Sequence, residues 1–453
     1  MNDKLEQYII DNYDGSPFWF EDEVQDNWHI DRIMNALHTM DYIDGKHNIL
    51  NRGDVVWKGQ HFKTRKIVLQ YVKPILTFQK SFLLKNPVTL TSDDKETLER
   101  YKEIYKRGKY NNIDTKVLDN LLKYGEVYEY LYLDDDRDIK SHLIKACDSY
   151  PVYNENGDYI AFIEHYISSG IGFYRIYTET SVIEYNDKGG DLHKVGEYNN
   201  LSGLPVRYIL PSETDELKGR SDLEDWIGII DNMEDLLSKY MDSFYKFLNP
   251  LPVFTGTKLS TGKDGEGAVN PNLVGQSLQL DFNSTFDFAV AEMDYNSFKE
   301  VYKTLQQNLL NISMTPAISM NGMEIANVST DSMKLLFYMA IAKATMTSKH
   351  LYNGFDERWK KMKKLLQLID KDYEGYISCT FKMDIPNNDE QLVNNLDKMY
   401  SSGTISLETL LSQSPYVYDV TSEMARLQED VQDKKDKKDK KDKKDKIDDD
   451  KIE

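Results

Sequence analysis

Residues 219–256, GRSDLEDWIGIIDNMEDLLSKYMDSFYKFLNPLPVFTG, constrain the fold more than any other stretch of this chain. They describe one long amphipathic helix with a marked start and an abrupt stop. At the start, Ser221 and Glu224 have capping-box spacing: the serine accepts from the Glu224 N–H, and the glutamate reaches back to the Ser221 N–H. Leu223, Trp226, Ile227, Ile230, Met233, Leu237, Tyr240, Met241, Phe244 and Leu248 recur at three- and four-residue spacing and so share one face. Pro250 and Pro252 end the element, because proline cannot donate and pushes its predecessor out of the α region. From Asp222 to Leu248 such a helix runs roughly 40 Å. Nothing along it is arranged for chemistry, so it reads as a strut. Asp222, Glu224, Asp225, Asp231, Glu234 and Asp235 crowd its first half, and Lys239 and Lys246 lie near its end, which suits the helix dipole.

The rest of the chain surrounds that strut with unlike parts. Residues 1–60 read as short helical pieces and turns, and a helical pattern over 66–85 carries Pro74 as an expected kink. Helical patterns follow at 93–107 and 113–124. The period then changes to two: Glu126–Leu133 alternates, and strand-like runs cover 140–146, 159–167, 171–178, 181–185 and 205–210 between Asn-Gly, Gly-Gly and Ser-Gly turns. Beyond the strut lie a glycine-bearing region, 249–293, and a second amphipathic helix, 294–312. A breaker-bearing segment, 313–330, precedes a very long helical pattern over 331–370, with Gly354 as its expected weak point. Tyr376–Asp384 reads as a strand and 387–431 as three short helices. Helix, loop region, returning helix, loop, longer helix is an unusual plan for an enzyme.

The chain is acidic, with a net charge of −20 over 453 residues. That argues against gripping nucleic acid, since phosphate neutralisation needs clustered Lys and Arg. It does not argue against a protein that DNA passes through without sticking. The tail from Lys434 to Lys446, KKDKKDKKDKKDK, is nearly neutral and reads as a solvated, disordered spacer, so the acidity belongs to residues 1–432. Cys147 and Cys379 cannot form a disulfide framework, and a reducing compartment is the simplest reading. The N-terminal MNDKLEQYIID lacks signal-peptide character, and the most apolar window, Leu335 to Met346, is too short to span a bilayer. The composition reads as a soluble, intracellular, multi-part protein.

Chemical motifs fail on inspection. Gly256–Lys263 imitates a phosphate-binding loop, but five residues separate its glycines where four are needed, and Asp264 replaces the Ser or Thr that would hold magnesium. Asp134, Asp136 and Asp138 have calcium-loop spacing, yet Ile139 and Lys145 stand where Gly and Glu are required; a hairpin turn is the better reading. The eight histidines give no metal-ligand spacing. The expectation is a protein without catalytic residues, metal or cofactor.

With the element order established, the chain resembles the portal proteins of tailed bacteriophages, of the type from long-tailed phages of Gram-positive hosts. The resemblance rests on FQKSFLLKNPVTL (78–90), YGEVYEYLYL (124–133), the run 149–166, Leu204–Arg207 followed by GRSDLEDW, NPLPVFTG (249–256), NGMEIANVSTDSMK (321–334), IPNNDE (385–390), GTISLETL (403–410) and YDVTSEMARLQED (418–430), in that order. It covers residues 65–430. Asn86 and Thr330 depart from the family pattern, which has glycine at both.

The resemblance implies an α+β portal-type fold. Residues 1–219 would form a wing of helices plus a mixed β-sheet. Stem helices would span 220–248 and 294–312, with a small clip at 249–293 between them. A tunnel loop at 313–330, a long wing helix and strand at 331–386, a helical crown at 387–431 and a disordered tail at 432–453 would follow. It implies a homo-oligomeric ring, generally dodecameric, at one capsid vertex, assembled in the host cytoplasm and carried in the virion. The implied partners are the terminase large subunit, a head–tail adaptor, major capsid and scaffold proteins, and double-stranded DNA in the tunnel, with no membrane. In that frame Asn321, Met323, Asn327, Ser329 and Thr330 face DNA. Lys239, Lys246 and Lys334 make weak phosphate contacts or are ordinary surface charge, and Thr257, Lys258 and Lys263 meet clip partners. The acidic and basic ends of the 219–256 helix would then form bands of opposite sign along a channel, between subunits or facing DNA. A DNA-processing enzyme and another head–tail or scaffold component are the alternatives.

Overall fold

In a computed structural model of the chain, the described residues are 3–57, 60–247, 251–255, 283, 285–289, 294–316, 330–371, 373–383, 389–420 and 422–427. Three helices open it: α1 (Asp3–Tyr13), α2 (Trp19–Glu23) and α3 (Asn27–Ile43), the last capped by the Asp26 carboxylate, which accepts from the Trp28 N–H at 2.8 Å. At 17 residues α3 is longer than the short pieces expected for this region. A hairpin of β1 (Val55–Trp57) and β2 (Gln60–Phe62) follows, then α4 (Val72–Leu84). Pro74 does not kink α4. The helix begins at Val72 instead of Lys66, so the proline sits in the first turn, where an N–H has no intrahelical partner to lose.

After β3 (Thr89–Thr91), α5 (Lys95–Gly108) and α6 (Tyr110–Tyr124) come the strands β4 (Glu126–Leu133), β5 (Ile139–Ile144), β6 (Ser149–Tyr153), β7 (Tyr159–Ser168), β8 (Ile171–Tyr177), β9 (Ser181–Asn186), β10 (His193–Asn199) and β11 (Val206–Ile209). The long helix α7 (Leu223–Phe247), β12 (Leu251–Thr255), β13 (Thr285–Ala289) and α8 (Tyr295–Ile312) succeed them. Last are α9 (Thr330–Gln367), β14 (Ser378–Thr380), α10 (Asp389–Ser401), α11 (Leu407–Gln413) and helical residues 422–427. The strand expected over Tyr376–Asp384 is thus three residues long, and Asp384 lies outside the described residues.

Two compact units divide the chain: Met1–Lys80, Ile104–Ala317 and Lys349–Glu374 form one, and Ser81–Glu103, Ile318–Ser348 and Gly375–Glu453 the other. The first holds a five-stranded sheet, β10-β9-β8-β7-β6, and a three-stranded sheet, β11-β4-β5. Every pairing among the described strands is antiparallel, so the sheets are not mixed in direction. Phe20, Trp19, Leu5 and Ile9 from the first two helices cover Val152, Ile160, Ile163 and Ile176 on one side of the larger sheet. Tyr128, Ile144, Phe162, Tyr177, Val182 and Leu204 close a second core, with the Tyr128 and Phe162 rings 4.8 Å apart. Each such fully buried side chain contributes about 1.5–3 kcal/mol by leaving water. The Asp134 turn is the hairpin loop between β4 and β5: its Oδ1 accepts from the N–H of Asp136 at 3.0 Å and of Asp138 at 2.8 Å. In the second unit β14 pairs with β3, and the Phe82 and Phe337 rings stack with centroids 5.9 Å apart.

Strand β4 was expected to alternate between core and solvent, yet Glu126 and Glu129 are buried beside its aromatics. Arginines explain this. Arg32 from α3 binds Glu126 and the Ser149 carbonyl. Arg358 from α9, fully buried, donates through Nε to Glu129 Oε2 at 2.7 Å and through Nη1 to Asp114 of α6. The Tyr208 hydroxyl donates to the same Glu129 oxygen at 2.6 Å, and the Phe355 ring lies 4.6 Å from the guanidinium. Burial pushes the Asp114 carboxyl up to about 6, against the pull of Arg358. Gly354 is not a weak point of α9, which runs helical through it. The residue is glycine because the buried Tyr208 ring lies where a Cβ would be.

Two outcomes follow. Gly354→Ala should destabilise by about 1–3 kcal/mol despite its better helix propensity, because Tyr208 is held by Glu129 and cannot withdraw; urea unfolding measures it, and a neutral or stabilising result contradicts the close approach. Arg358→Leu should cost about 3–5 kcal/mol by stranding two buried carboxylates. Adding Glu129→Gln and Asp114→Asn to that variant should recover much of the loss in the same assay.

Candidate functional site

The site is the paired helices α7 and α8 and the segment laid along α7. Helix α7 starts where two backbones meet: a Cβ on Gly219 would lie 2.7 Å from the Gly125 carbonyl oxygen, and the Leu210 N–H donates to that oxygen at 2.7 Å. The expected capping box takes another form. Ser221 Oγ accepts from the Leu223 N–H at 3.2 Å and donates to the Leu122 carbonyl at 3.0 Å. The Glu224 carboxylate turns to Arg220, with Nε at 3.2 Å, where the partner carries a full charge.

The apolar stripe divides in two. Leu223, Trp226, Ile227, Ile230 and Met233 are buried, whereas Leu237, Tyr240 and Met241 are half-buried and Phe244 is 43% exposed. The second half meets α8, whose Phe298 ring stacks on Tyr240 with centroids 3.8 Å apart. Asp294 caps α8, accepting from the Ser297 N–H at 2.9 Å. The two strands β12 and β13 pair between the helices, so the chain leaves α7, forms a ribbon and returns along α8.

The polar face of α7 is occupied by its own chain. Residues 65–69 run beside it, and their alternate N–H groups donate to side chains four apart: Leu69 to Glu234 Oε1 at 2.6 Å, Ile67 to Ser238 Oγ at 3.1 Å and Arg65 to Asp242 Oδ1 at 2.8 Å. The match is geometric, since four helical residues advance about 6 Å and two extended residues about 6.6 Å. His47 Nδ1 also meets Glu234 Oε1 at 2.6 Å, with both side chains fully buried and the Tyr42 ring stacked on the imidazole. Burial pushes the Glu234 carboxyl above its usual range, against the Leu69 N–H and His47. Asp231 holds Tyr42 and Asn48, and Asp235 pairs with Lys239. The acidic residues at 224, 225, 231, 234 and 235 therefore have partners within the chain and do not form a bare charged band.

Of the residues singled out from sequence, Lys239 is exposed on α7 and bonded to Asp235 at 2.7 Å. Lys246 lies in α7, and Thr330 and Lys334 in the first turns of α9; their side chains are outside the described residues, as are Asn321, Met323, Asn327, Ser329, Thr257, Lys258 and Lys263 altogether. Sequence reading missed Lys299 and Lys303, exposed one turn apart on α8, although their spacing was visible. It also missed the strap, whose signal was the Glu234, Ser238, Asp242 spacing. Among the described residues, no three His, Cys, Asp or Glu side chains converge to hold a metal, and no helix is long and apolar enough to cross a membrane. Ser238→Ala, which strands the Ile67 N–H, should cost about 1–3 kcal/mol and speed proteolysis within 63–71; equal cleavage rates in variant and parent would show that the strap is not held this way.

The family model described as Phage portal protein, SPP1 Gp6-like, matches residues 23–437. The portal protein of Bacillus phage SPP1 is 23% identical over 373 residues, which span 77% of this chain and 73% of that protein. Among solved structures, a chain from the virion of the native gene transfer agent particle aligns with a TM-score of 0.48 and 11% identity, covering 83% of this chain and 91% of that one. A chain from the neck of that native particle, computed with C12 symmetry, aligns with a TM-score of 0.44 and 11% identity over 75% and 86%. With the family match spanning nearly the whole chain, this protein belongs to the SPP1 Gp6-like family of phage portal proteins.

Proposed function

We propose that this portal protein works as a passive conduit: a closed ring of about twelve copies at one capsid vertex, through which double-stranded DNA is packaged and later ejected. The observation that carries this reading is the unit α7–β12–β13–α8, a long helix and its return joined by a ribbon. Among its described residues, Glu234, Ser238 and Asp242 of α7 hold residues 65–69, and Asp235 pairs with Lys239. In this reading 220–248 and 294–312 are the stem, 249–293 the clip that docks the terminase large subunit and a head–tail adaptor, and 313–330 the tunnel loop. Residues 387–431 are the crown, and the wing faces major capsid and scaffold proteins. Assembly takes place in the host cytoplasm. In this reading a tunnel wall with little net positive charge lets a polyanion slide without being held.

Electron microscopy and native mass measurement of the purified chain should show closed rings of about twelve copies; a monomer under all conditions overturns the proposal. Metal- or ATP-dependent turnover by the isolated chain would favour a DNA-processing enzyme instead. Replacing Met323–Val328 by a short glycine linker should leave rings intact and impair packaging or DNA retention. Full heads at normal yield would remove the tunnel-loop role.

A further inference from the structure

One buried cation faces two buried acids. Arg358 of α9 meets Glu129 of β4 and Asp114 of α6, and all three side chains are withdrawn from solvent. With both carboxyls ionised, a single guanidinium leaves one negative charge uncompensated in an interior that disfavours it. Rings close the surroundings: the Tyr110, Tyr208 and Phe355 centroids lie 5.3, 5.6 and 4.6 Å from the guanidinium carbon. Burial pushes the hydroxyls of Tyr105 on α5, Tyr110 on α6 and Tyr208 on β11 up, so these neighbours stay neutral and add no charge. Asp356 and Glu357, beside Arg358 on α9, are paired with Lys360 at 2.7 Å and Lys361 at 3.5 Å.

The two acids are unequally served. Each keeps one buried oxygen, Glu129 Oε1 and Asp114 Oδ2, without a donor among the described residues. The other oxygen of Glu129 accepts twice, from Arg358 Nε at 2.7 Å and from the Tyr208 hydroxyl at 2.6 Å. The other oxygen of Asp114 accepts from Arg358 Nη1. An ionised carboxylate costs more to bury the fewer donors it has, so Asp114 is where a proton relieves the surplus charge best. Burial raises this carboxyl to about 6, against the pull of Arg358 and with a contribution from the charge of Glu129.

We propose that Asp114 is a proton-operated catch on α9: its carboxyl takes up a proton beside Arg358, and the helix is held more firmly with that proton than without it. Raised in the folded chain above its usual 3.8, Asp114 binds the proton more tightly there than in an opened or unfolded chain. The stability this contributes is fully present below 3.8 and is lost as pH rises through about 6. In urea unfolding of the full chain, the folding equilibrium constant of the parent should fall about tenfold more between about pH 5 and about pH 7.5 than that of Asp114→Asn, which keeps an acceptor for Arg358 and never ionises. Hydrogen exchange should place the effect on α9: corrected for intrinsic exchange, the opening of amides around Arg358 should rise over that pH range by about tenfold more in the parent than in the variant. Asp114→Ser should behave as Asp114→Asn does. Equal pH dependence in parent and variants overturns the catch. Failure of both neutral variants to fold also overturns it, because the site then does not accept an uncharged side chain at this position.

Discussion

The buried Arg358 guanidinium organises the larger unit. It draws together Asp114 on α6, Glu129 on the adjoining β4 and, through that carboxylate, Tyr208 on β11, the last two elements, β11 and α9, lying far along the chain from the first two. A buried ion pair is no guarantee of net stability, because desolvation of each charge costs several kcal/mol. Its consequence is specificity: once Glu129 is in the interior, α9 must lie where its arginine reaches it. Gly354 then follows from the same contact, since α9 can approach Tyr208 that closely only without a Cβ.

Arg32 repeats the solution on α3, and its effect extends further. Because the inward face of that helix is committed to Glu126 and the Ser149 carbonyl, its apolar residues have nowhere to go within the subunit. Satisfying buried carboxylates thus leaves an apolar stripe of α3 exposed. Helix α7 shows a related economy. Its carboxylates hold Tyr42, His47 and the Leu69 N–H, so the acidity of the chain is partly taken up in its own hydrogen bonds.

Much of this was legible in the sequence where local rules act alone. The α7 and α8 spans were read to within a residue or two, because a continuous apolar period between breaker-bearing segments has few other solutions. Strands β4, β7, β8 and β9 were equally clear from alternation and glycine turns. Pro74 misled because a proline in the first helical turn and one in the middle look alike until the start is known. The capping box misled because Arg220, a neighbour in sequence and in space, competes for Glu224.

The sequence by itself determined the plan: the order of helices and strands, the strut and its return, and through their family pattern the identity of a phage portal protein. Local periodicity and capping depend on neighbours a few residues apart, and those are written in the chain. The tertiary structure alone decided which charges are buried together, that Glu234, Ser238 and Asp242 hold a strap, and that α3 turns its apolar face outward. Those outcomes depend on groups brought together across large sequence separations, where a low-dielectric interior makes an unpaired charge too costly to leave and pairing overrides the hydrophobic pattern.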